Sequence, residues 1–163
     1  MQRRELFSSL AFKIIGKTKQ ENLLRPPYNS DESLFLNECS KCDAKCATVC
    51  EEDIIKIASD KTPYLSFLNG GCTYCDECAN ACEYGVLKLE NKRVINSRIT
   101  INKTKCLSWN QTMCFSCKDP CLDNAIDFKA MFKPEINDKC TSCGFCIGRC
   151  PTDAIEIKVL AHE

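Results

Sequence analysis

Residues 140–151 read CTSCGFCIGRCP. Four cysteines, Cys140, Cys143, Cys146 and Cys150, follow the spacing C-x2-C-x2-C-x3-C and are closed by Pro151, the pattern that holds a cubane [4Fe–4S] cluster. Two-residue gaps let three thiolates curl around one face of a cluster with no regular helix or strand between them. Cys150 lies four residues beyond Cys146, one helical turn on, so both side chains point the same way. In folds with two clusters this fourth cysteine serves the other cluster.

The rest of the chain repeats this run. The other copies are Cys39, Cys42, Cys46 and Cys50; Cys72, Cys75, Cys78 and Cys82; and Cys106, Cys114, Cys117 and Cys121. A repeat of this kind is read before any single element. The tails after the fourth cysteines also match: CEEDIIKI, CEYGVLKL, CLDNAIDF and CPTDAIEI each run cysteine, three mostly polar residues, a small or apolar one, then apolar, charged, apolar. The alternation predicts short strands through Ile55 and Ile57, Leu87 and Leu89, Ile126 and Phe128, and Ile155 and Ile157. Matching extended pieces are predicted ahead of three motifs, over residues 65–68, 99–101 and 135–136. Strand, cluster loop, helical turn, strand is the ferredoxin half-repeat. The expected fold is therefore α+β, two tandem bacterial-type two-cluster ferredoxin-like halves (residues 39–92 and 93–163) with four [4Fe–4S] motifs, preceded by an N-terminal helical arm (1–25) and a proline-containing linker (26–38).

Two copies depart from the pattern. Asp43, Ala44 and Lys45 separate Cys42 from Cys46 where two residues are usual, an insertion that a bulge can absorb. Seven residues, LSWNQTM, separate Cys106 from Cys114 and carry Trp109, the only tryptophan. Tyr74, Phe115 and Phe145 fall inside cluster loops, where they either shield sulfur from water or fill a small core.

Sixteen cysteines in 163 residues put the chain at the level where metal or disulfides hold a scaffold together. Without cysteine the apolar share falls from 44% to about a third, too thin a core to carry the fold alone. Clusters are then expected to serve as core and crosslink, with the metal-free chain largely unfolded. Free thiols in such number require a reducing compartment, so the cytoplasm is expected. The formal charge of zero becomes about −8 once sixteen thiolates surround four oxidised cubane cores.

Charge is also unevenly placed. Residues 1–25 hold six basic side chains (Arg3, Arg4, Lys13, Lys17, Lys19, Arg25) against Glu5 and Glu21, whereas the remainder holds sixteen basic and twenty acidic. Leu6, Phe7, Leu10, Ala11, Ile14 and Ile15 fall on one helical face of this arm. The face either packs on its own domain or docks on a partner or a membrane surface, with Arg3, Arg4, Leu6, Phe7 and Arg25 as the expected contacts. The apolar run is too short, and too interrupted by Lys13, to span a membrane. Arg3-Arg4 resembles the start of an export signal, but no long apolar region or cleavage site follows. Pro26 and Pro27 fix an extended segment, and Ser30 or Asp31 could cap a turn into Leu34, Phe35 and Leu36.

Thiolate is a soft ligand that suits iron–sulfur clusters, zinc or Cu(I). Structural zinc would want two C-x2-C pairs or histidine ligands, and the one histidine, His162, lies at the tail. The quartets favour clusters. By the crossover rule, Cys39, Cys42, Cys46 and Cys82 form one set; Cys72, Cys75, Cys78 and Cys50 a second; Cys106, Cys114, Cys117 and Cys150 a third; and Cys140, Cys143, Cys146 and Cys121 a fourth. The acidic body argues against nucleic-acid binding. With every thiol expected as a ligand and no phosphate loop or Ser/His/Asp set, the chain is not expected to be an enzyme.

Taken together, Arg3-Arg4, the segment RPPYNSDESLFL, the widened third motif KCLSWNQTMCFSCKDPCLDNAIDF and the short tail after CPTDAIEI resemble the NapF-type ferredoxin accessory proteins of the periplasmic nitrate reductase system. The resemblance covers nearly the whole chain. It implies a cytoplasmic protein that binds the catalytic subunit of that reductase before export and assists its maturation, through redox or cluster-assembly support. The competing reading is a polyferredoxin that carries electrons to a membrane quinol or reductase complex.

Overall fold

The computed structural model describes residues 23–29 and 31–160. The expected contacts Arg3, Arg4, Leu6 and Phe7, most of the arm, and His162 lie outside the described residues.

Regular structure comes in short pieces because the cysteine loops interrupt it. Helical turns form at Ser33–Glu38 (α1), Lys45–Thr48 (α2) and Glu77–Asn80 (α3). Strands form at Ile55–Ile57 (β1), Pro63–Leu65 (β2), Ser97–Ile101 (β3), Ile126–Lys129 (β4), Lys133–Ile136 (β5) and Ile155–Val159 (β6). They pair as three antiparallel ribbons, β1 with β2, β3 with β6 and β4 with β5. Alternation sets the faces: in β3, Ser97 and Ile99 are buried while Arg98 and Thr100 are exposed, and Ile99 lies opposite Ile157.

The C-terminal part has an inner hairpin, β4–β5, between its two cysteine runs and an outer pair, β3–β6, that brackets them. The N-terminal part has the inner hairpin alone, β1–β2. The strand expected through Leu87 and Leu89 does not form. Leu87 is buried, but Leu89 is half exposed and opens a 3-10 turn at Leu89–Asn91. The cause is the missing partner, because a helix rather than a strand leads into the first run, and a lone strand would leave its N–H and C=O groups unpaired. Likewise β2 ends at Leu65 where an extended piece was expected over residues 65–68.

Residues 24–29, expected as the end of the arm and the start of the linker, fill that gap as a core strap. The carbonyls of Leu24, Pro27 and Tyr28 accept from the N–H groups of Leu65 (2.7 Å), Arg93 (3.0 Å) and Lys88 (2.9 Å). Tyr28 is buried, and its hydroxyl donates to Asp76 Oδ1 at 2.7 Å. Beyond the strap, Asp31 Oδ1 accepts from the N–H of Ser33 at 2.8 Å and turns the chain into α1, which buries Phe35 completely. Arg25, expected to face a partner, is held inside: Nη1 donates to Thr62 Oγ1 (2.9 Å) and to the Pro63 carbonyl (2.7 Å), and the guanidinium sits 4.6 Å over the Phe35 ring. The strap passes close enough to β2 for the half-buried guanidinium to be tied to the fold.

Three small cores result, one around Leu24, Ile54, Ile55, Leu65, Phe67 and Ile95, one around Tyr28, Phe35, Val86 and Leu87, and one around Ile99, Ile126 and Ile155. Cysteines pack against all three. Because Phe35 holds α1 to both the strap and the second core, Phe35→Ala is expected to cost about 3–5 kcal/mol, read as a drop in the urea midpoint of the folded chain.

Candidate metal centres

Each of the four tails turns the chain at the same place. Asp53, Gly85, Asn124 and Asp153, three residues after the fourth cysteine of each run, all have φ between 49° and 64°. Asp, Asn and Gly enter this left-handed region at least cost, which explains the polar third position of the tails. The turn swings the next backbone N–H groups back toward sulfur: Leu87 N–H donates to Cys82 Sγ (3.3 Å), Ala125 N–H to Cys121 Sγ (3.3 Å) and Ala154 N–H to Cys150 Sγ (3.2 Å). The small or apolar residue that follows is core in every copy, as Ile54, Val86, Ala125 and Ala154 are all buried.

The thiols gather in four quartets. Cys39, Cys42, Cys46 and Cys82 line one apolar recess with Phe35, Val86 and Leu87. Cys50, Cys72, Cys75 and Cys78 line a second with Tyr28, Ile54 and Leu65. Cys121, Cys140, Cys143 and Cys146 line another with Ile99, Ile126 and Ile136. In the fourth group Cys106, Cys114 and Cys150 lie close enough to Cys117 to repel its thiolate, and Cys106 and Cys117 are themselves buried. In every quartet the fourth cysteine comes from the neighbouring run. All sixteen thiols are free.

Burial, then repulsion from Cys82 and Cys42, pushes the Cys39 thiol up to about 11. Burial and the same kind of repulsion raise Cys46, Cys72 and Cys117 to about 11, and Cys78 and Cys146 to about 12. Cys150 differs. Burial alone raises it, but hydrogen bonds from Thr152, Ala154 and Ile155 outweigh that and hold it below the ordinary thiol value. Four soft donors spread around an apolar recess, mutually repelling as thiolates and partly solvated by backbone N–H groups, fit a cubane core, which is wide, cationic and thiophilic. Among the described residues no three His, Cys, Asp or Glu side chains are grouped to hold a single metal ion.

The irregular first run has a physical explanation. In the second and fourth runs a left-handed residue precedes the second cysteine, Tyr74 (φ 55°) and Ser142 (φ 57°). In the first, Cys39–Lys41 continues α1 as a 3-10 turn and Cys42 is extended. Ala44 (φ 57°) then matches Asp76 (φ 71°) as the left-handed residue before the helical turn carrying the third cysteine. Asp43 is thus the extra residue, inserted where the left-handed turn is lacking. In the third run, Trp109 of the long loop donates from Nε1 to the Pro134 carbonyl of β5 (3.1 Å). Phe115 packs tilted on Phe128, with ring centroids 4.7 Å apart, and Tyr74 donates to the Thr141 carbonyl while accepting from Ile95 N–H.

Residues 134–156 match the 4Fe-4S binding domain family, a stretch that holds the fourth cysteine run between β5 and the first residues of β6. The chain is 35% identical to the ferredoxin-type protein NapF of Escherichia coli (strain K12), over 88% of the chain and 90% of that protein. The chain belongs to the NapF family of ferredoxin-type proteins. NapF of Haemophilus influenzae is 33% identical over 98% of the chain and 93% of its own length. The E. coli ferredoxin-type protein NapG is 29% identical over 63% of the chain and half of its own length. Membership in the NapF family and the matched domain make this an iron–sulfur protein of the [4Fe–4S] kind.

The left-handed tail residues are the functional positions that spacing alone did not single out, although the recurring Asp, Gly or Asn three residues after each fourth cysteine was a readable signal. Asn124→Val should destabilise the chain by about 1–2 kcal/mol, because a β-branched residue resists positive φ, while Asn124→Gly should leave its thermal midpoint nearly unchanged. The raised thiols give a second expectation. At neutral pH, groups at about 11–12 carry their protons, so loading a cationic core must expel them. Reconstitution in weak buffer should release protons, and absorbance near 400 nm should fade as pH drops and protons compete for sulfur. Occupancy independent of pH would contradict this account.

Proposed function

We propose that this chain holds four [4Fe–4S] clusters and acts as an accessory protein that binds the catalytic subunit of periplasmic nitrate reductase in the cytoplasm, assisting its maturation before export through redox or cluster-assembly support. The observation that carries the reading is the placing of all sixteen free thiols in four crossed-over quartets within a chain of the NapF family. Cys39, Cys42, Cys46 and Cys82; Cys50, Cys72, Cys75 and Cys78; Cys106, Cys114, Cys117 and Cys150; and Cys121, Cys140, Cys143 and Cys146 are the ligand sets. Each cluster would supply one-electron redox chemistry. The protein side supplies apolar recesses that limit water and N–H groups that stabilise negative sulfur.

A chain with every thiol committed to a cluster has no nucleophile to spare, which supports an accessory role over catalysis. Free thiols in this number support a reducing compartment. Among the described residues no helix is long and apolar enough to cross a membrane. Recognition of the reductase is assigned to the basic, amphipathic residues Arg3, Arg4, Leu6 and Phe7. Arg25 belongs to the fold instead, so a fair truncation stops at residue 22.

The test is anaerobic purification from cells expressing the reductase. Iron and acid-labile sulfide should correspond to four clusters, and the unexported catalytic subunit should co-purify with the full chain but not with one lacking residues 1–22. Cells without the chain should export less active reductase. A reductase that matures fully in those cells yet receives no electrons would replace this reading with that of a polyferredoxin electron carrier.

A further inference from the structure

The four quartets do not follow one another in space as they do in sequence. The first quartet and the second meet through α2 and α3, which pack together and carry Cys46 and Cys78. Cys39, Cys46, Cys78 and Cys82 all surround the same core at Ala79. The quartet of Cys106, Cys114, Cys117 and Cys150 meets that of Cys121, Cys140, Cys143 and Cys146 in one core where Cys117 and Cys146 are both buried. The two pairs of quartets are joined through the second and fourth runs. Cys72 N–H donates to the Cys143 carbonyl at 2.7 Å, so one ligand residue bonds directly to another across the join.

This junction is built for close approach. A side chain at Gly71 would run into Phe145, one at Gly144 (φ 87°) into the Phe67 ring, and one at Gly148 into the Leu68 carbonyl. Tyr74 closes it from the other side through its bond to the Thr141 carbonyl. The charges that act between quartets run along the same line: Cys46 on Cys78, Cys143 on Cys72, Cys117 on Cys146.

Resting on the four-cluster reading above, we propose that the clusters form a linear electron relay in the spatial order Cys39 quartet, Cys72 quartet, Cys140 quartet, Cys106 quartet, with the Cys72–Cys143 hydrogen bond as its central bridge. The third run in sequence is therefore a terminus, and the fourth is interior. With clusters bound, the quartets would supply one-electron sites, and an electron passing between adjacent sites would oxidise one and reduce the next with no bond made or broken. A one-electron reductant delivers at one terminus and a one-electron oxidant collects at the other.

The test is electron paramagnetic resonance of the full chain, purified anaerobically and reduced with excess low-potential europium(II) chelate, with iron and sulfide measured on each sample. Cys114→Ser, which empties the Cys106 quartet, should lose one cluster's iron and leave the Cys140 quartet still spin-coupled to the Cys72 quartet. Cys75→Ser, which empties the Cys72 quartet, should leave the Cys39 quartet as an isolated, uncoupled signal. If Cys114→Ser instead isolates the Cys140 quartet, the order follows the sequence and the relay proposed here is wrong. Gly148→Leu keeps all sixteen thiols and serves where a cysteine variant fails to fold: it should retain full iron but lose coupling between the two pairs, and unchanged coupling overturns the bridge. Fewer than four clusters in the unmodified chain overturns the four-cluster reading itself, whereas full iron with the wrong coupling overturns only the relay.

Discussion

Thiolates that share an apolar recess repel one another, and burial makes each of them harder to ionise. In the Cys39 and Cys72 recesses the two effects together push Cys39, Cys46 and Cys72 up to about 11 and Cys78 up to about 12. A positively charged core in the recess reverses both terms at once. It neutralises the repulsion and turns the buried sulfurs from a liability into crosslinks. The small size of the three hydrocarbon cores, each with cysteines packed against it, follows from this: much of the cohesion is assigned to metal and sulfur, and the hydrocarbon only has to shape the recess.

Crossing over the fourth cysteine makes neighbouring runs depend on each other. Cys82 completes a recess whose other thiols lie more than thirty positions earlier in the chain, and Cys150 does the same for the run beginning at Cys106. The C-terminal part closes this arrangement with an outer strand pair, β3–β6. The N-terminal part has no such pair and substitutes the strap at residues 24–29, pinned by backbone bonds to Leu65, Lys88 and Arg93 and locked by Arg25 and Phe35. One motif is thereby closed by two different devices. The strap also engages Arg25 in the fold, through Thr62, the Pro63 carbonyl and the Phe35 ring.

The join between the two parts relies on glycine where no other residue fits. Gly71, Gly144 and Gly148 let Phe145, Phe67 and the Leu68 carbonyl come into contact, and that contact brings Cys72 within hydrogen-bonding distance of Cys143. The same few residues therefore hold the two parts of the fold together and bring one cysteine run against another.

Cysteine spacing and the alternating tails determined, from the sequence alone, the four thiol runs, the α+β character and the positions of β1, β4 and β6. These features are local, since a two-residue gap or a period of two constrains only the neighbouring backbone. The resemblance carried by RPPYNSDESLFL and the widened third motif also pointed to the NapF family, to which the chain belongs. The absent strand at Leu89, the strap in place of a linker, the internal role of Arg25 and the spatial order of the quartets were decided only by tertiary structure. Each depends on which distant segment is available to satisfy a backbone N–H or fill a recess. CTSCGFCIGRCP announces a cluster in its own spacing, but nothing in those twelve residues says that Cys143 meets Cys72, because the contact also needs Phe67, Leu68 and Gly71, which stand far earlier in the chain and are brought to Gly144, Gly148 and Phe145 only by the fold.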